Sequence, residues 1–319
     1  MEPKTLQAAI VYFSDPDNCV RYLVECRWPD GVVCPTCGRT DVSYVAKRRV
    51  WQCKTRHPKA QFSVKVGTIF EDSPIPLDKW LMAMWMVSNC KNGISSWEIH
   101  RSLGVTQKTA WFLLHRIRLA MQDTRTHKFG LDGPVESDEA FIGPKPRNMH
   151  KDRRAKAHAA GRYSNKAAVH GLLDRELRQV RTKVLPNVKR ETLQSVILDN
   201  VAPSSKIFTD EAVAYVGLEK DYIHEVIDHS RQYVNGLIHT NGLENFWSLL
   251  KRGLKGTYVA VEPFHLDAYV DEQAFRYNNR ATKDNPLTDA DRFALIVSQI
   301  VGRRITYREL TGKMEARQF

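Results

Sequence analysis

The sequence predicts a multidomain α+β chain in which a small cysteine-bearing module and a helical module precede an α/β domain with a mixed sheet. Three observations lead there. All six cysteines lie in the first third of the 319 residues, the run from Pro76 places apolar residues at helical spacing, and from about Gly130 short β-rich runs alternate with helices. A chain of this length with 42% hydrophobic residues buries a sizeable core and by default divides into two or more domains. Lys and Arg number 48 against 36 Asp and Glu, a net charge of +12 that suits a polyanionic partner, nucleic acid ahead of an anionic membrane surface. No stretch reaches the roughly 20 apolar residues that span a bilayer, and the start MEPKTLQAAIVYF lacks the basic and apolar runs of a signal peptide. A soluble cytoplasmic protein with no membrane partner is expected. Cysteines crowded this way in a reducing compartment point to metal binding rather than a disulfide framework.

Residues 1–30 read as a helical lead-in, with one amphipathic helix over 5–28 broken by Pro29, Asp30 and Gly31. Residues 31–72 hold Cys34-Pro-Thr-Cys37 and, after 15 intervening residues, Cys53 followed at C-x3-H spacing by His57. Gly38 makes the first pair a tight knuckle, and Tyr44, Val45, Val50 and Trp51 suit short hairpins. Two hairpins carrying two ligands each present Cys34, Cys37, Cys53 and His57 tetrahedrally, the arrangement structural Zn2+ favours in a zinc ribbon. Buried apolar cysteines are the alternative. Ribbons usually close with C-x2-C, so a degenerate site or a different fourth ligand also stays open. Cys19, Cys26 and Cys90 read as packing residues.

Residues 75–125 read as helical. Leu77, Trp80, Leu81, Met84, Trp85 and Val87 form one apolar helix ended by Asn92 and Gly93. A second opens on the capping box Ser95-Ser96-Trp97-Glu98. Gly104-Val105 then turns the chain, and Thr106 caps a third helix carrying Gln107, Lys108, Thr109, Trp111, Arg116 and Arg118. This outlines a DNA-binding helix-turn-helix with Gln107, Lys108 and Thr109 at the front of the recognition helix and Arg116 further along it. A plain three-helix bundle is the alternative, and Trp80, Trp85 and Trp97 are expected in the core under both readings.

Residues 131–285 read as the α/β domain, with strands over 134–143, 166–174 and 179–185, a helix over 189–200, and a short run 206–209 ending at Asp210. In the first strand the period of two puts Glu136 and Asp138 on one face and Glu139 on the other. Acidic groups in mid-strand are costly without a compensating cation, here expected to be a metal ion. Asp210 ends a β run, where open α/β sheets bind ligands; a helix N-cap is its alternative role. Glu244 opens a helix starting at Asn241, and a capping box with Asn241 is its alternative. Lys251, two turns beyond Glu244 on the same face, could meet a phosphate beside a metal-bound carboxylate. The spacings, 72 residues from Asp138 to Asp210 and 34 from there to Glu244, let two strand-borne aspartates and one helix-borne glutamate converge on Mg2+ or Mn2+. Two such ions about 3.5–4 Å apart drive in-line phosphoryl displacement. No phosphate-binding loop of the Gly-x4-Gly-Lys-Ser/Thr type is present.

With these residues in view the chain resembles the zinc-ribbon DDE transposases of bacterial insertion sequences, an ISXO-like group related to the Merlin transposons. The resemblance runs through the ribbon and its exit Phe62–Phe70, the helical module, and the strand Glu136-Ser137-Asp138-Glu139-Ala140-Phe141-Ile142-Gly143. It continues through Thr209-Asp210-Glu211, the segment from His239-Thr240-Asn241 to Lys251-Arg252, and Phe275-Arg276-Tyr277-Asn278-Asn279-Arg280. It implies a ribonuclease-H-like catalytic fold, Asp138, Asp210 and Glu244 as metal ligands, Lys251 as a catalytic-site DNA contact, and His239 and Asn241 beside the site. It also implies cleavage at a transposon end, attack of the freed 3'-hydroxyl on target DNA, and recognition of terminal inverted repeats by the ribbon and helical modules. The C-x3-H half of the ribbon and the carboxylate of Glu211 next to Asp210 depart from the family pattern.

The stretch 145–166 carries eight basic residues, Arg153 and Arg154 among them, against the single acid Asp152. A solvated loop is the bland reading. Beside a catalytic strand it would neutralise phosphates without sequence preference, as would Arg252. Residues 286–319 read as a helical tail with a helix near 289–301 capped by Thr288. The leading expectation is a bacterial, nucleoid-associated transposase that forms a homo-oligomer on double-stranded DNA, both transposon ends and target. A DNA-binding regulator with a relic catalytic domain and a ribonuclease-H-like nuclease without strand transfer are the rivals.

Overall fold

The computed structural model describes residues 3–144, 149–152, 154–155, 165–210, 213–227, 239–283 and 285–312. The chain divides into two compact units, residues 1–122 with 279–319, and residues 123–278. Among the described residues no helix is long and apolar enough to cross a membrane.

In the first unit the lead-in is two helices, α1 (Leu6–Phe13) and α2 (Pro16–Arg27), where one was expected. The reason is Pro16, which has no amide hydrogen to give to Tyr12 and therefore starts a helix rather than continuing one. Asp15 caps that start by accepting from the Asp17 amide at 2.8 Å, and the Asn18 side chain takes over the Tyr12 carbonyl at 2.9 Å. Strands β1 (Val42–Val45), β2 (Val50–Cys53) and β3 (Gln61–Phe62) form an antiparallel sheet in that order. Trp51 stacks on Phe62 and meets Trp28 edge-on beneath it.

Helix α3 (Leu77–Asn89) is apolar on nearly every side and is buried accordingly, Trp80 and Trp85 included. It is followed by α4 (Ser96–Leu103), whose capping box with Ser95 and Glu98 is formed, and by α5 (Gln107–Leu119), capped by Thr106. Gly104 makes the turn at φ +60°, a left-handed conformation that favours glycine. Trp97 corrects the sequence expectation: it is 58% exposed, because its position in the first turn of α4 faces away from the helix side that buries Ile99.

Residues 279–319 belong to this same unit. The helix expected near 289–301 runs Asp289–Ser298 with a Thr288–Asp291 capping box, and its Phe293 is surrounded by Phe13, Tyr22 and Trp85.

The second unit is a five-stranded mixed sheet. Its strands are β4 (Val135–Ile142), β5 (Ala167–Asp174), β6 (Gln179–Leu185), β7 (Lys206–Asp210) and β8 (Ile223–Ile227), in the order β6-β5-β4-β7-β8. β4, β5 and β6 are antiparallel neighbours, while β7 lies parallel to both β4 and β8. Strand β8 was not anticipated, since Ile223-His224-Glu225-Val226-Ile227 is too short and polar to stand out among turn residues.

Helix α6 (Arg190–Asn200) covers one sheet face, with Leu193, Val196 and Ile197 buried. Helices α7 (Asn241–Gly253) and α8 (Leu266–Asn278) supply the core of the other. On α7 the buried residues Leu243, Phe246, Trp247 and Leu250 recur at i, i+3, i+4 and i+7. Burying each is worth about 1.5–3 kcal/mol, so this face, which meets Ala140, Val169 and Leu173, holds the helix on β4 and β5. At the end of α8 the Asn278 amide exchanges hydrogen bonds with the backbone of Val180 at 2.7 and 2.9 Å, satisfying groups along β6.

Gly171, opposite Asp138 on β5, is where α7 comes closest: a Cβ there would lie 2.7 Å from the Trp247 ring. Gly171→Ala is therefore expected to destabilise this unit by about 1–3 kcal/mol through overpacking, read as a lower melting temperature; an unchanged melting temperature would show that Trp247 moves aside freely.

Candidate functional site

The first unit gathers Cys34, Cys37, Cys53 and His57 so that one ligand atom of each lies within 4.8 Å of the others. Among the described residues this is the one group of three or more such side chains drawn so close. Cys34 and Cys37 sit on the knuckle closed by the Gly38 amide bonding to the Cys34 carbonyl at 2.8 Å, with Gly38 at φ +72°. Cys53 ends β2, and His57 lies on the turn beyond it. Cys37 and Cys53 sulfurs are 3.7 Å apart and Cys34 Sγ is 3.5 Å from His57 Nε2. Tetrahedral ligands on zinc, with Zn–S near 2.3 Å, stand about 3.7 Å from one another, so the donor set and its spacing fit that ion. His57 Nδ1 is 2.7 Å from the Pro58 carbonyl, which fixes the tautomer with Nε2 as the free donor atom.

The residues expected to meet DNA in this unit divide. Lys108 is exposed, its ammonium 4.6 Å from the Tyr307 ring centre. Gln107 donates to Ser96 Oγ at 2.8 Å, tying α5 back to α4, and the Thr109 amide bonds the Thr106 hydroxyl at 3.1 Å. Arg116 is a correction. It is 4% exposed, lies against Trp80 and Phe112, and gives a guanidinium N–H to the Glu71 carbonyl at 2.6 Å. Burial pushes its basicity down to about 10, and it serves the interior of this unit rather than a surface.

In the second unit the pairing of β4 with β7 decides the geometry. Val135 stands opposite Ile207 and Glu136 opposite Phe208, a register offset equal to the 72-residue separation of Asp138 from Asp210. The two aspartates lie two residues beyond the last paired positions on neighbouring strands, close enough for the charge of Asp210 to act on Asp138. Glu244 stands in the first turn of α7, exposed and near enough for its charge to act on Asp138, whereas Asp138 and Asp210 are half-buried. The N-cap of α7 is Thr240, so Asn241 is the first helical residue, and no side-chain bond from Thr240 closes a cap. The capping-box role for Glu244 is thereby set aside.

Burial, first, and then the charges of Asp210 and Glu244 push the Asp138 carboxyl up to about 6; the Trp247 indole N–H, donating to its Oδ2 at 2.9 Å, works the other way. Asp138, Asp210 and Glu244 act on one another electrostatically without drawing their oxygens as close as the cysteine and histidine donors, and carboxylate oxygens are of the kind Mg2+ or Mn2+ takes alongside water and phosphate.

The strand's other two acids have different surroundings. Glu136, 1% exposed, is answered by Arg175 at 2.7 Å, so its compensating cation is an arginine and not the expected metal ion. Breaking such a buried pair from one side typically costs about 3–5 kcal/mol. Glu139, on the opposite face, accepts from the Tyr215 hydroxyl and is pushed up to about 7 by burial, with Asp138 and Asp210 adding to the shift. Tyr215 also meets Ser137 Oγ at 3.2 Å, and Ser137 lies 2.9 Å from His170 Nε2. His170 is wholly buried, which drives its imidazole down to about 3 and keeps it neutral.

His239 precedes α7 and takes a hydrogen bond from Arg175 at its Nδ1, 2.7 Å away. Lys251 and Arg252 are exposed in the last turn of α7. Arg154 is exposed in a short helical turn, its amide bonded to the His150 carbonyl at 2.9 Å. Arg153 and most of the basic stretch around it, and Glu211, lie outside the described residues. Trp247 and Arg175 escaped the sequence reading: the tryptophan has the spacing of any core residue, and the arginine sits on a turn whose partners are 39 and 64 positions away.

Comparison with known proteins matches residues 130–278 to the ISXO2-like transposase domain and residues 14–55 to the transposase zinc-ribbon domain. The second match includes Cys34, Cys37 and Cys53 and stops short of His57. The chain is 29% identical over 254 residues to an uncharacterized protein in transposable element ISH50 of Halobacterium salinarum, covering 76% of this chain and 84% of that one. It is 33% identical over 106 residues to an uncharacterized transposase-like protein of Haemophilus influenzae, covering 33% of this chain and 85% of the relative. A chain of the simian T-cell lymphotropic virus intasome in complex with PP2A regulatory subunit B56 gamma aligns at 13% identity and a TM-score of 0.28, over 55% of this chain and 63% of that one.

Two outcomes are expected of these sites. Cys34→Ser should lose bound zinc, measured by emission spectroscopy, and melt the ribbon; a variant that keeps its zinc would remove Cys34 from the ligand set. For Asp138 the folded-state value lies above the ordinary 3.8, so the folded chain holds the extra proton between 3.8 and about 6. Its contribution to stability is intact below that window and is lost as pH rises through it. In metal-free protein Asp138→Asn should therefore gain in melting temperature over the wild type as pH is raised from about 5 to about 7; parallel curves would contradict this.

Proposed function

This chain belongs to the ISXO2-like transposases that carry an amino-terminal zinc ribbon, and on that premise we propose that it cuts and joins DNA strands at transposon ends. The observation that supports the proposal is that Asp210, at the end of β7, and Glu244, in the first turn of α7, both bear electrostatically on Asp138, with the β4–β7 register offset equal to the spacing of the two aspartates. On this reading the unit is a ribonuclease-H-like catalytic domain, and the three carboxylates hold Mg2+ or Mn2+. Such ions supply activation of the attacking oxygen and stabilisation of the leaving one. The protein's own part is to hold Asp138 and Asp210 at strand spacing, to orient the Asp138 carboxylate through the Trp247 N–H, and to keep Glu244 open to solvent where a DNA backbone can approach. Lys251 and Arg252, exposed two turns along α7, contact phosphates, as do Arg154 and Arg153. His239 and Asn241 border the site.

In the first unit α4, its glycine turn and α5 act as a helix-turn-helix that reads the terminal inverted repeats. Lys108 and Thr109 lie at the front of its second helix, and Gln107 reaches the DNA by exchanging its bond to Ser96. The ribbon, stabilised by structural Zn2+ on Cys34, Cys37, Cys53 and His57, contributes to the same recognition. The active form is a homo-oligomer on paired double-stranded ends in a bacterial cytoplasm.

The test is a supercoiled plasmid bearing the element's ends, incubated with Mg2+ or Mn2+. Wild type is expected to cut and join. Asp138→Ala, Asp210→Ala and Glu244→Ala should each bind the ends yet lose both steps by three orders of magnitude or so, about 4 kcal/mol of barrier. Binding without cutting by the wild type would make the chain a DNA-binding relic, cutting without joining a nuclease, and full activity of the Glu244 variant would take Glu244 out of the site.

A further inference from the structure

We propose that Glu136 and Arg175 are positioning residues that set the spacing of Asp138, Asp210 and Glu244, and through it the affinity of that site for divalent cations. The inference rests on the metal-binding reading above. It starts from helix α7, whose N-cap residue Thr240 makes no side-chain bond to the first turn. The acceptor comes instead from another element: Glu136 Oε2, on β4, takes the Leu243 amide at 2.9 Å. A carboxylate in that place satisfies an orphan amide and faces the positive end of the helix. Its other oxygen takes the Arg175 Nε at 2.7 Å.

Arg175 reaches further. One of its terminal nitrogens donates to both the ring and the carbonyl of His239, just ahead of α7. Its guanidinium lies over the Phe208 ring at 4.6 Å. One ion pair therefore touches all three elements that carry the candidate ligands, and each contact is within two residues of one. Glu136 is two before Asp138, Phe208 two before Asp210, and Leu243 directly before Glu244. Glu136 and Asp138 share a strand face and both accept from α7, the first from the Leu243 amide and the second from the Trp247 indole N–H, so a shift of that helix bears on both. The approach is close: a Cβ at Gly242 would fall 2.8 Å from Glu136 Oε2, so a larger residue there must displace that carboxylate.

The experiment uses the full chain as wild type, Glu136→Gln, Arg175→Lys and Gly242→Ala. Glu136→Gln keeps an oxygen for the Leu243 amide and loses the charge pair; Gly242→Ala keeps both charges, raises helix propensity, and displaces the contact. Two readouts besides activity are taken: hydrogen exchange of amides 241–246 without metal, and Mn2+ affinity by calorimetry. Arg175→Lys and Gly242→Ala are expected to speed exchange in the first turn of α7 and weaken Mn2+ binding by about 10–100-fold, the usual effect of removing a residue that orients metal ligands. Glu136→Gln should fall between them and the wild type. Faster exchange with unchanged Mn2+ affinity would reduce the pair to a structural bolt and overturn the proposal. Failure of the wild type to bind Mn2+ would sink the metal-site reading and this inference together, and is told apart because it appears before any variant is compared.

Discussion

Carboxylates on a sheet face that is partly closed to water are the constraint around which the second unit is organised. Strand β4 carries Glu136 and Asp138 on one side and Glu139 on the other, and none has free access to bulk solvent. A buried charge without a partner is among the costliest features a fold can hold. The unit meets that cost three ways. Glu136 is neutralised by Arg175 and a helix amide, Glu139 is drawn toward its protonated form beside a tyrosine, and Asp138 has the Glu139 backbone N–H and the Trp247 indole N–H set against two neighbouring acids. Among the described residues Glu136 alone of the three is met by a cation. Local electrostatics thus give the three acids of one strand three different surroundings.

The apolar residues follow from the same arrangement. Gly171 leaves room over β5 for the Trp247 ring, the ring brings its N–H to Asp138, and Leu243, Phe246 and Leu250 hold α7 against Ala140, Val169 and Leu173. Packing and polar contacts act on the same few residues, so the position of Glu244 follows from a core as well as from hydrogen bonds. In the first unit a comparable economy appears: Phe293, close to the end of the chain, fills the space among Phe13, Tyr22 and Trp85 that the first helices and α3 leave between them.

What was legible in advance depended on the range of the interaction. The helices at 77–89, 96–103 and 107–119 and the strands at 135–142, 167–174 and 179–185 follow from apolar period and capping residues, all within a few positions of one another. The break at Pro16 was equally local and was passed over because the apolar pattern continues across it. Arg116 and Trp97 were misplaced for a different reason. A guanidinium on a helix reads as surface and a tryptophan as core, yet the Glu71 carbonyl captured the first and the orientation of α4 exposed the second.

By itself the sequence determined most of the helices and strands, the Cys34, Cys37, Cys53 and His57 set, and the three acids Asp138, Asp210 and Glu244 as candidates. Each of these is encoded in spacing along the chain or in a family resemblance carried by short motifs. Only the tertiary structure decided which partners each acid meets. The pairing of β4 with β7 brings Asp138 within electrostatic reach of Asp210, Arg175 claims Glu136, Tyr215 claims Glu139, and Thr240 rather than Asn241 caps α7. The physical reason is that a carboxylate's role is set by the charges and donors within a few ångströms of it, and in this fold those come from residues tens of positions away.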